Sequence, residues 1–405
     1  MSFFSMSKYA KKAPTGSIPL CGGCGLYRSC CTPKIEYSGR GKKGILILSE
    51  VPSVAEDNGV AFWDTTAGRY IERILSKRGI SARDDCWVGH TIRCHTHHKK
   101  IDDAKIAACF PYFLRFIKKH RPKVVIPMGY ASTKMVIGQT WKSEKFPALD
   151  SWVGYNIPCQ TLNMWIAPNY HPAFFDDRSE VKKVLFKRYF LASLDKCFDY
   201  PWGVLPIYER DIEIIARPSL AVKYINDMAK KKQPFAFDYE ANCLKPEIKG
   251  SELFSCSICW GGRRTIAFSW NDEICEVMYN LFRNESKKMA ANLKFEERWT
   301  VEKVGTKVRN WFWDTMIAAH IINSQPKVTG LKFQAYVLLG VKSYNDSVNH
   351  LLESSGTSKL NKIHQIPTGD LLLYNGMDSL VTFKVAEIQM LAFSKNKIQE
   401  LYATD

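Results

Sequence analysis

Two carboxylates, two residues apart, are the first sign of chemistry in this chain. In the run PFAFDYE, Asp238 and Glu240 close a buried apolar stretch that reads as a strand. Strand side chains alternate, so both acids face the same side. Side by side they repel unless a cation neutralises them, which favours Mg²⁺ or Mn²⁺; a solvated D-x-E at a strand end is the plain alternative. The run ANLKFEERW sets Asn292 and Glu296 one helical turn apart, and LLLYNGMDSLVTF sets Tyr374 and Asp378 at the same spacing on an expected helix. Acids on three separated elements could enclose two divalent ions about 4 Å apart. Such a pair orients and deprotonates water and assists a leaving 3′ oxygen, with the tyrosine hydroxyl placing the water.

Cysteines carry the second candidate. Cys21 and Cys24 form a C-x₂-C pair, with Cys30 and Cys31 close behind, and no second C-x₂-C completes a zinc ribbon. Cys94 and Cys109 flank the basic loop HTHHKKIDDAKIAA. The cluster His95, His97 and His98 reads as a solvated loop facing phosphates, with a metal site as the alternative.

The elements that must hold these residues alternate. From Gly44 to about Cys197, strands are expected at GILILSE, CWVGHTI, VVIPMG and MWIAPNY, and helices at TTAGRYIERILSKRG and AKIAACFPYFLRFIKKH. That order predicts an α/β layered fold with a mostly parallel sheet. The aperiodic, Pro- and aromatic-rich segment near 199–214 marks a boundary, giving domains over 1–200 and 201–405. Beyond it come the strand PFAFDYE, a hairpin turning at Gly261-Gly262, the helix EICEVMYNLFRN and mostly helical sequence.

The second half resembles the ribonuclease H-like DnaQ-type 3′–5′ exonucleases of family A DNA polymerases and their phage relatives, in the tyrosine-containing DEDDy subclass. FDYEANCLKP, NLKFEERW, WDTMIAAHIINSQPKVTGLKFQAYVLLG and YNGMDSLVT carry the likeness, in family order. It implies Asp238, Glu240, Glu296 and Asp378 as ligands of two Mg²⁺ or Mn²⁺ ions, with Tyr374 orienting the water. Asp314 falls at a position the family uses structurally. Glu296 stands where the family has Asp, and Cys243 where it usually has Gly.

The first half resembles the iron–sulfur uracil-DNA glycosylases called family 4, an α/β/α fold, over about residues 18–197. The likeness implies a [4Fe–4S] cluster on Cys21, Cys24, Cys94 and Cys109, with Cys30 or Cys31 as a possible substitute for one ligand. LSEVPSVAEDNGVAFWDTTAG matches the family's catalytic loop, with Glu50, Glu56 and Asp57 near the water site and Phe62 as the aromatic that stacks on a flipped base. His171 in NYHPAFF matches the histidine that stabilises the departing uracil anion. The family reads uracil with Asn, whose amide offers a donor beside an acceptor; the matching position here is His90, whose ring nitrogens diverge. Ser49 and Ser53 replace loop glycines, which crowds the pocket. Two readings stay open: an enzyme that also excises uracil, and an exonuclease whose glycosylase-like half only binds DNA as a polymerase accessory.

Bulk properties agree with an anionic partner. The chain has 405 residues, a formal net charge of +17 and 46% hydrophobic residues, which suits two soluble domains with nucleic acid as the anionic partner; the exonuclease resemblance implies DNA with single-stranded or frayed 3′ ends. No apolar run reaches the roughly 20 residues that span a bilayer, and MSFFSMSKYAKKAPTG lacks a secretory h-region, so no membrane role and a reducing cytoplasmic setting are expected, the host cytoplasm if phage-encoded. The 13 cysteines then read as thiols or metal ligands. Similar fusions begin phage DNA polymerases. Here the sequence stops where the exonuclease ends, so a polymerase is expected in trans or in a longer parent chain, and the task is replication fidelity or repair.

Overall fold

The computed structural model describes residues 20–396 apart from 98–99, 142–145, 176–179, 324, 326, 343, 345–347 and 354–358. The chain forms two compact units, one of residues 1–139, 144–156 and 162–202, the other of 140–143, 157–161 and 203–405.

In the first unit the sheet runs Ser38–Gly39, Cys86–His90, Ile45–Ser49, Val124–Pro127, Met164–Ile166. The strand Ser38–Gly39 pairs antiparallel and the others pair parallel. Ile45–Ser49 is buried along its whole length, as a central parallel strand with helices on both faces requires. The helix Thr66–Ser76 starts at Thr65, whose hydroxyl accepts from the Gly68 N–H at 3.0 Å, and it buries Ile71, Ile74 and Leu75 as one stripe. The helix Asp103–His120 is capped by Asp102 and ends in Lys118, Lys119 and His120, cations that suit its negative terminus.

In the second unit the order is Trp311–Asp314, Lys288–Ala290, Phe235–Ala241, Leu253–Trp260, Arg264–Ser269, Ile212–Ile215. The hairpin expected at Gly261-Gly262 forms, with φ of 62° and 72° that only glycine adopts cheaply. The long helix Thr368–Asn396 lies against this sheet. Gly376 permits the approach, because a Cβ there would stand 2.6 Å from Ile212 Cγ2. The face of the helix next to that contact carries Asn375 and Asp378 toward Asp238.

Among the described residues no helix is long and apolar enough to cross a membrane.

Candidate active sites

In the second unit the side chains of Asp238, Glu240 and Asp378 converge, with ligand oxygens all within 4.8 Å of one another. Asp238 and Glu240 reach the spot because they are two apart on Phe235–Ala241, where they lie opposite Ser257 and Ser255. Asp378 arrives from the long helix. Asn375, one turn earlier, donates through Nδ2 to Asp238 Oδ2 at 2.8 Å, and accepts through Oδ1 from Ser255 Oγ at 3.1 Å. The second bond orients the Asn375 amide, and the first then fixes the rotamer of Asp238. Burial, reinforced by the neighbouring carboxylates, pushes Asp238 and Glu240 well above the usual carboxylate range. A divalent cation would reverse that, and an all-carboxylate donor set suits a hard ion such as Mg²⁺ or Mn²⁺.

Glu296 sits on the helix Leu293–Trp299 and is 2% exposed, with Oε2 buried and unpartnered. It lies outside the group of three, yet burial first and then Asp238 push its pKa well up. Asn292 is not on that helix. It precedes it in the left-handed region at φ 65°, so the turn expected between Asn292 and Glu296 begins one residue later. Asp314 caps two helices, accepting from Leu293 N at 2.9 Å and Met316 N at 2.8 Å, a structural task. Tyr374 is in the site, its hydroxyl raised by burial and then by Asp378, Glu240 and Asp238.

Three residues here went unread in the sequence. Lys332 Nζ and Tyr344 OH both donate to Asp378 Oδ1, and the ammonium stands 3.8 Å from the Tyr344 ring centre and 4.5 Å from that of Tyr374. Asn375 is the third. Lys332 and Tyr344 carry no local signal: they lie more than thirty residues before Asp378 and meet it only through packing.

In the first unit Cys21, Cys24, Cys94 and Cys109 line one small space, Cys94 and Cys109 buried and Cys21 and Cys24 half-buried. Tyr112 OH lies 3.3 Å from Cys21 Sγ, and Lys34 N donates to Cys94 Sγ at 3.3 Å. Burial pushes the Cys109 thiol up to about 11 and raises that of Cys94. The four thiols are not among the groups whose ligand atoms all lie within 4.8 Å of one another, so they are spread wider than a single ion needs. An all-thiol donor set suits a soft metal centre, iron–sulfur or zinc.

A second space in the same unit, a cleft of about 610 Å³, is lined among others by Ser49, Glu56, Phe62 and His171. The Ala173 N–H donates to His171 Nδ1 at 3.2 Å, which leaves the ring proton on Nε2, 3.0 Å from Ser49 Oγ. Burial lowers the His171 pKa to about 4, so the ring is neutral at pH 7. His90 is buried with Nε2 2.7 Å from Glu56 Oε1, while its Nδ1 is buried without a partner. Glu56 Oε2 accepts from Ser53 N and Oγ, both at 2.9 Å. Against the burial that would raise it, the bonds from His90 and Ser53 hold Glu56 below its ordinary value.

Glu50 is placed elsewhere. Its Oε1 accepts from Ala131 N at 2.7 Å, and it fills the space over Gly129, where a Cβ would come within 2.4 Å of Glu50 Cδ. It supports the turn into the helix Tyr130–Ile137 and does not line the cleft. The S-x-x-E capping signature of Ser53 and Glu56 was legible and points to Glu56 as the ordered acid of the loop. His95 is 9% exposed with Nδ1 donating to Pro52 O at 2.8 Å, so it belongs to the interior and not to a solvated loop. His98 lies outside the described residues.

The chain therefore joins two mixed-sheet α/β domains, one with a carboxylate cluster and one with a set of four thiols and a cleft. By family, residues 37–195 match the uracil DNA glycosylase superfamily and residues 212–390 match a 3′–5′ exonuclease domain of the family A DNA polymerase type. The chain is a uracil DNA glycosylase superfamily domain followed by an exonuclease-family domain. Its first part is 25% identical over 154 residues to the type-4 uracil-DNA glycosylase of Saccharolobus solfataricus, covering 37% of this chain and 70% of that protein. It is 27% identical over 123 residues to that of Pyrobaculum aerophilum, covering 30% and 61%. Among solved structures, the catalytic core of RRP6 from Trypanosoma brucei aligns with TM-score 0.37 and 15% identity over 48% of this chain and 50% of that one. NrnC of Brucella melitensis aligns with TM-score 0.34 and 15% identity, over 47% and 84%.

Proposed function

We propose that residues 201–405 remove nucleotides from single-stranded or frayed 3′ ends of DNA, and that residues 1–200 hold a [4Fe–4S] cluster and grip DNA with a pocket for an extruded base. The observation that carries the first part is the convergence of Asp238, Glu240 and Asp378 within single-ion distance. Those three would hold two Mg²⁺ or Mn²⁺ ions with Glu296 behind them, and the ions would supply an activated water and neutralise the leaving oxygen. Tyr374 orients the water, Asn375 locks Asp238, and Lys332 offers a positive charge beside the scissile phosphate. Digestion of a 3′-mismatched primer in Mg²⁺ tests this reading; a wild-type protein that leaves the primer intact overturns it.

In the glycosylase-like domain, Cys21, Cys24, Cys94 and Cys109 would bind the cluster and pin the segments around the cleft. Phe62 stacks on the base and the neutral His171 donates from Nε2. The His90–Glu56 pair favours recognition over excision: the ionised Glu56 accepts from His90 Nε2–H, so His90 cannot present a donor beside an acceptor to uracil. We assign the domain as a base-sensing DNA-binding module, with uracil excision as the alternative. An oligonucleotide assay for uracil release, with His171→Ala as control, separates them. The expected setting is proofreading beside a DNA polymerase, in trans or in a longer chain, in a reducing cytoplasm.

A further inference from the structure

Cys30, Asp57 and His97 bring one sulfur, one oxygen and one nitrogen ligand atom within 4.8 Å of one another. They come from three separate segments of the first unit: the turn after the C-x₂-C pair, the end of the helix Val54–Asp57, and the loop after Cys94. We propose that they form a site for one divalent transition-metal ion of the zinc class, adjoining the four-thiol space, since the Cys30 and Cys94 side chains are hydrogen-bonded, but using none of its four thiols.

The surroundings hold each ligand ready. Asp57 is 3% exposed, and its Oδ1 accepts from Thr32 N at 3.0 Å, which leaves Oδ2 facing His97 Nε2 at 4.0 Å. The backbone carbonyl of Asp57 accepts from Thr32 Oγ1 at 2.6 Å, so the acid is fixed at both ends. His97 takes φ 47°, a left-handed conformation that costs a non-glycine residue energy and that surrounding structure must sustain. Its neighbour His95 is anchored on Pro52 O, and the two rings stand 4.6 Å apart. The Cys30 thiol points at Leu26 O and His95 O, both at 3.3 Å, and is within reach of the same centre.

An ion midway between three atoms no more than 4.8 Å apart lies within about 2.8 Å of each, so a contraction of roughly half an ångström reaches zinc bond lengths. The mixed S, N and O set excludes Mg²⁺ and Ca²⁺ as preferred occupants and suits Zn²⁺. The His97 side chain is 42% exposed, so the fourth position opens to water. Binding takes the proton from the Cys30 thiol, one proton released per ion, and staples the loop after Cys94 to the segment after Cys24.

The test uses the full chain, purified without oxygen so that its iron is retained, loaded with Zn²⁺ and desalted. We expect one zinc per chain in the wild type. His97→Ala and Asp57→Asn each should weaken Zn²⁺ binding by more than about 100-fold, beyond the cost of losing an outer partner. Iron content and visible absorbance should not change in either variant, which also shows that they fold. Co²⁺ in place of Zn²⁺ should give a thiolate-to-cobalt charge-transfer band that Cys30→Ser removes. A wild type that holds no more zinc than His97→Ala overturns the site. So does Cys30→Ser losing iron, which would make Cys30 a ligand of the cluster.

Discussion

Replacing Asp238 with Asn keeps the shape of the side chain and removes one charge from the carboxylate group, and it should move stability in opposite directions with and without metal. The ligand oxygens of Asp238, Glu240 and Asp378 are no more than 4.8 Å apart, so an ion at their centre lies within about 2.8 Å of each. At an effective dielectric constant of about 20, one carboxylate at that distance from a divalent ion contributes roughly 12 kcal/mol gross. Dehydration offsets most of it, and unpairing one buried charge costs about 3–5 kcal/mol net, which is about 10²–10⁴-fold in affinity. After chelation the sign reverses. Burial raises the Asp238 pKa in the folded protein above its unfolded value of about 3.9. Above that pH the folded state therefore binds more protons than the unfolded one, and the contribution to stability declines as pH rises toward the folded pKa. Asp238→Asn escapes this decline. In EDTA at pH 7 the variant should melt higher than wild type, and the gap should close as pH falls toward about 4. In Mn²⁺ at 100 times the wild-type Kd, wild type should gain about 2.7 kcal/mol and the variant almost nothing. Thermal melts in EDTA and Mn²⁺ read both effects, and a labelled 3′ end reads digestion. An Asp238→Asn protein that binds Mn²⁺ within a few-fold of wild type, or digests at the normal rate, refutes the reasoning.

Lys332 competes with any ion on Asp378 Oδ1, so Lys332→Met should tighten Mn²⁺ binding by about tenfold, a change worth about 1.4 kcal/mol, while slowing digestion; calorimetry showing unchanged or weaker binding would contradict the competition. Cys94→Ser should abolish the visible absorbance of the purified protein and lower the melting temperature of the first domain alone, whereas a colourless wild type prepared without oxygen would remove the cluster from the account. His90→Asn frees Glu56 and supplies an amide donor beside an acceptor, so uracil release should rise by about tenfold per hydrogen bond gained; wild-type excision lost in His90→Asn would show that the histidine itself reads the base.

Much of the carboxylate site was legible because it depends on local periodicity. The D-x-E pair on a strand must share a face, and Y-x-x-x-D on a helix must share another, so Asp238, Glu240, Tyr374 and Asp378 followed from spacing. What escaped was set by long-range packing. Asn375 reaches Asp238 only because Gly376 lets the long helix approach the sheet, and Lys332 reaches Asp378 from a helix of four residues, Leu331–Gln334. Loop side chains were the least legible. Glu50 and Glu56 look alike in SEVPSVAED, yet one turns to Ala131 N and the other to His90, because a capping box at Ser53 and Glu56 fixes the second. The cysteines lay in between: spacing showed only the C-x₂-C pair, the family resemblance joined it to Cys94 and Cys109, and the fold sets these four around one space.

The claim on which the rest depends is that the acids of the second unit hold two ions against a phosphodiester. Anomalous diffraction from crystals soaked in Mn²⁺ tests it most directly. Two peaks roughly 4 Å apart, in contact with Asp238, Glu240 and Asp378, are the predicted result. Crystals that give no peak at these carboxylates under saturating Mn²⁺ would contradict it.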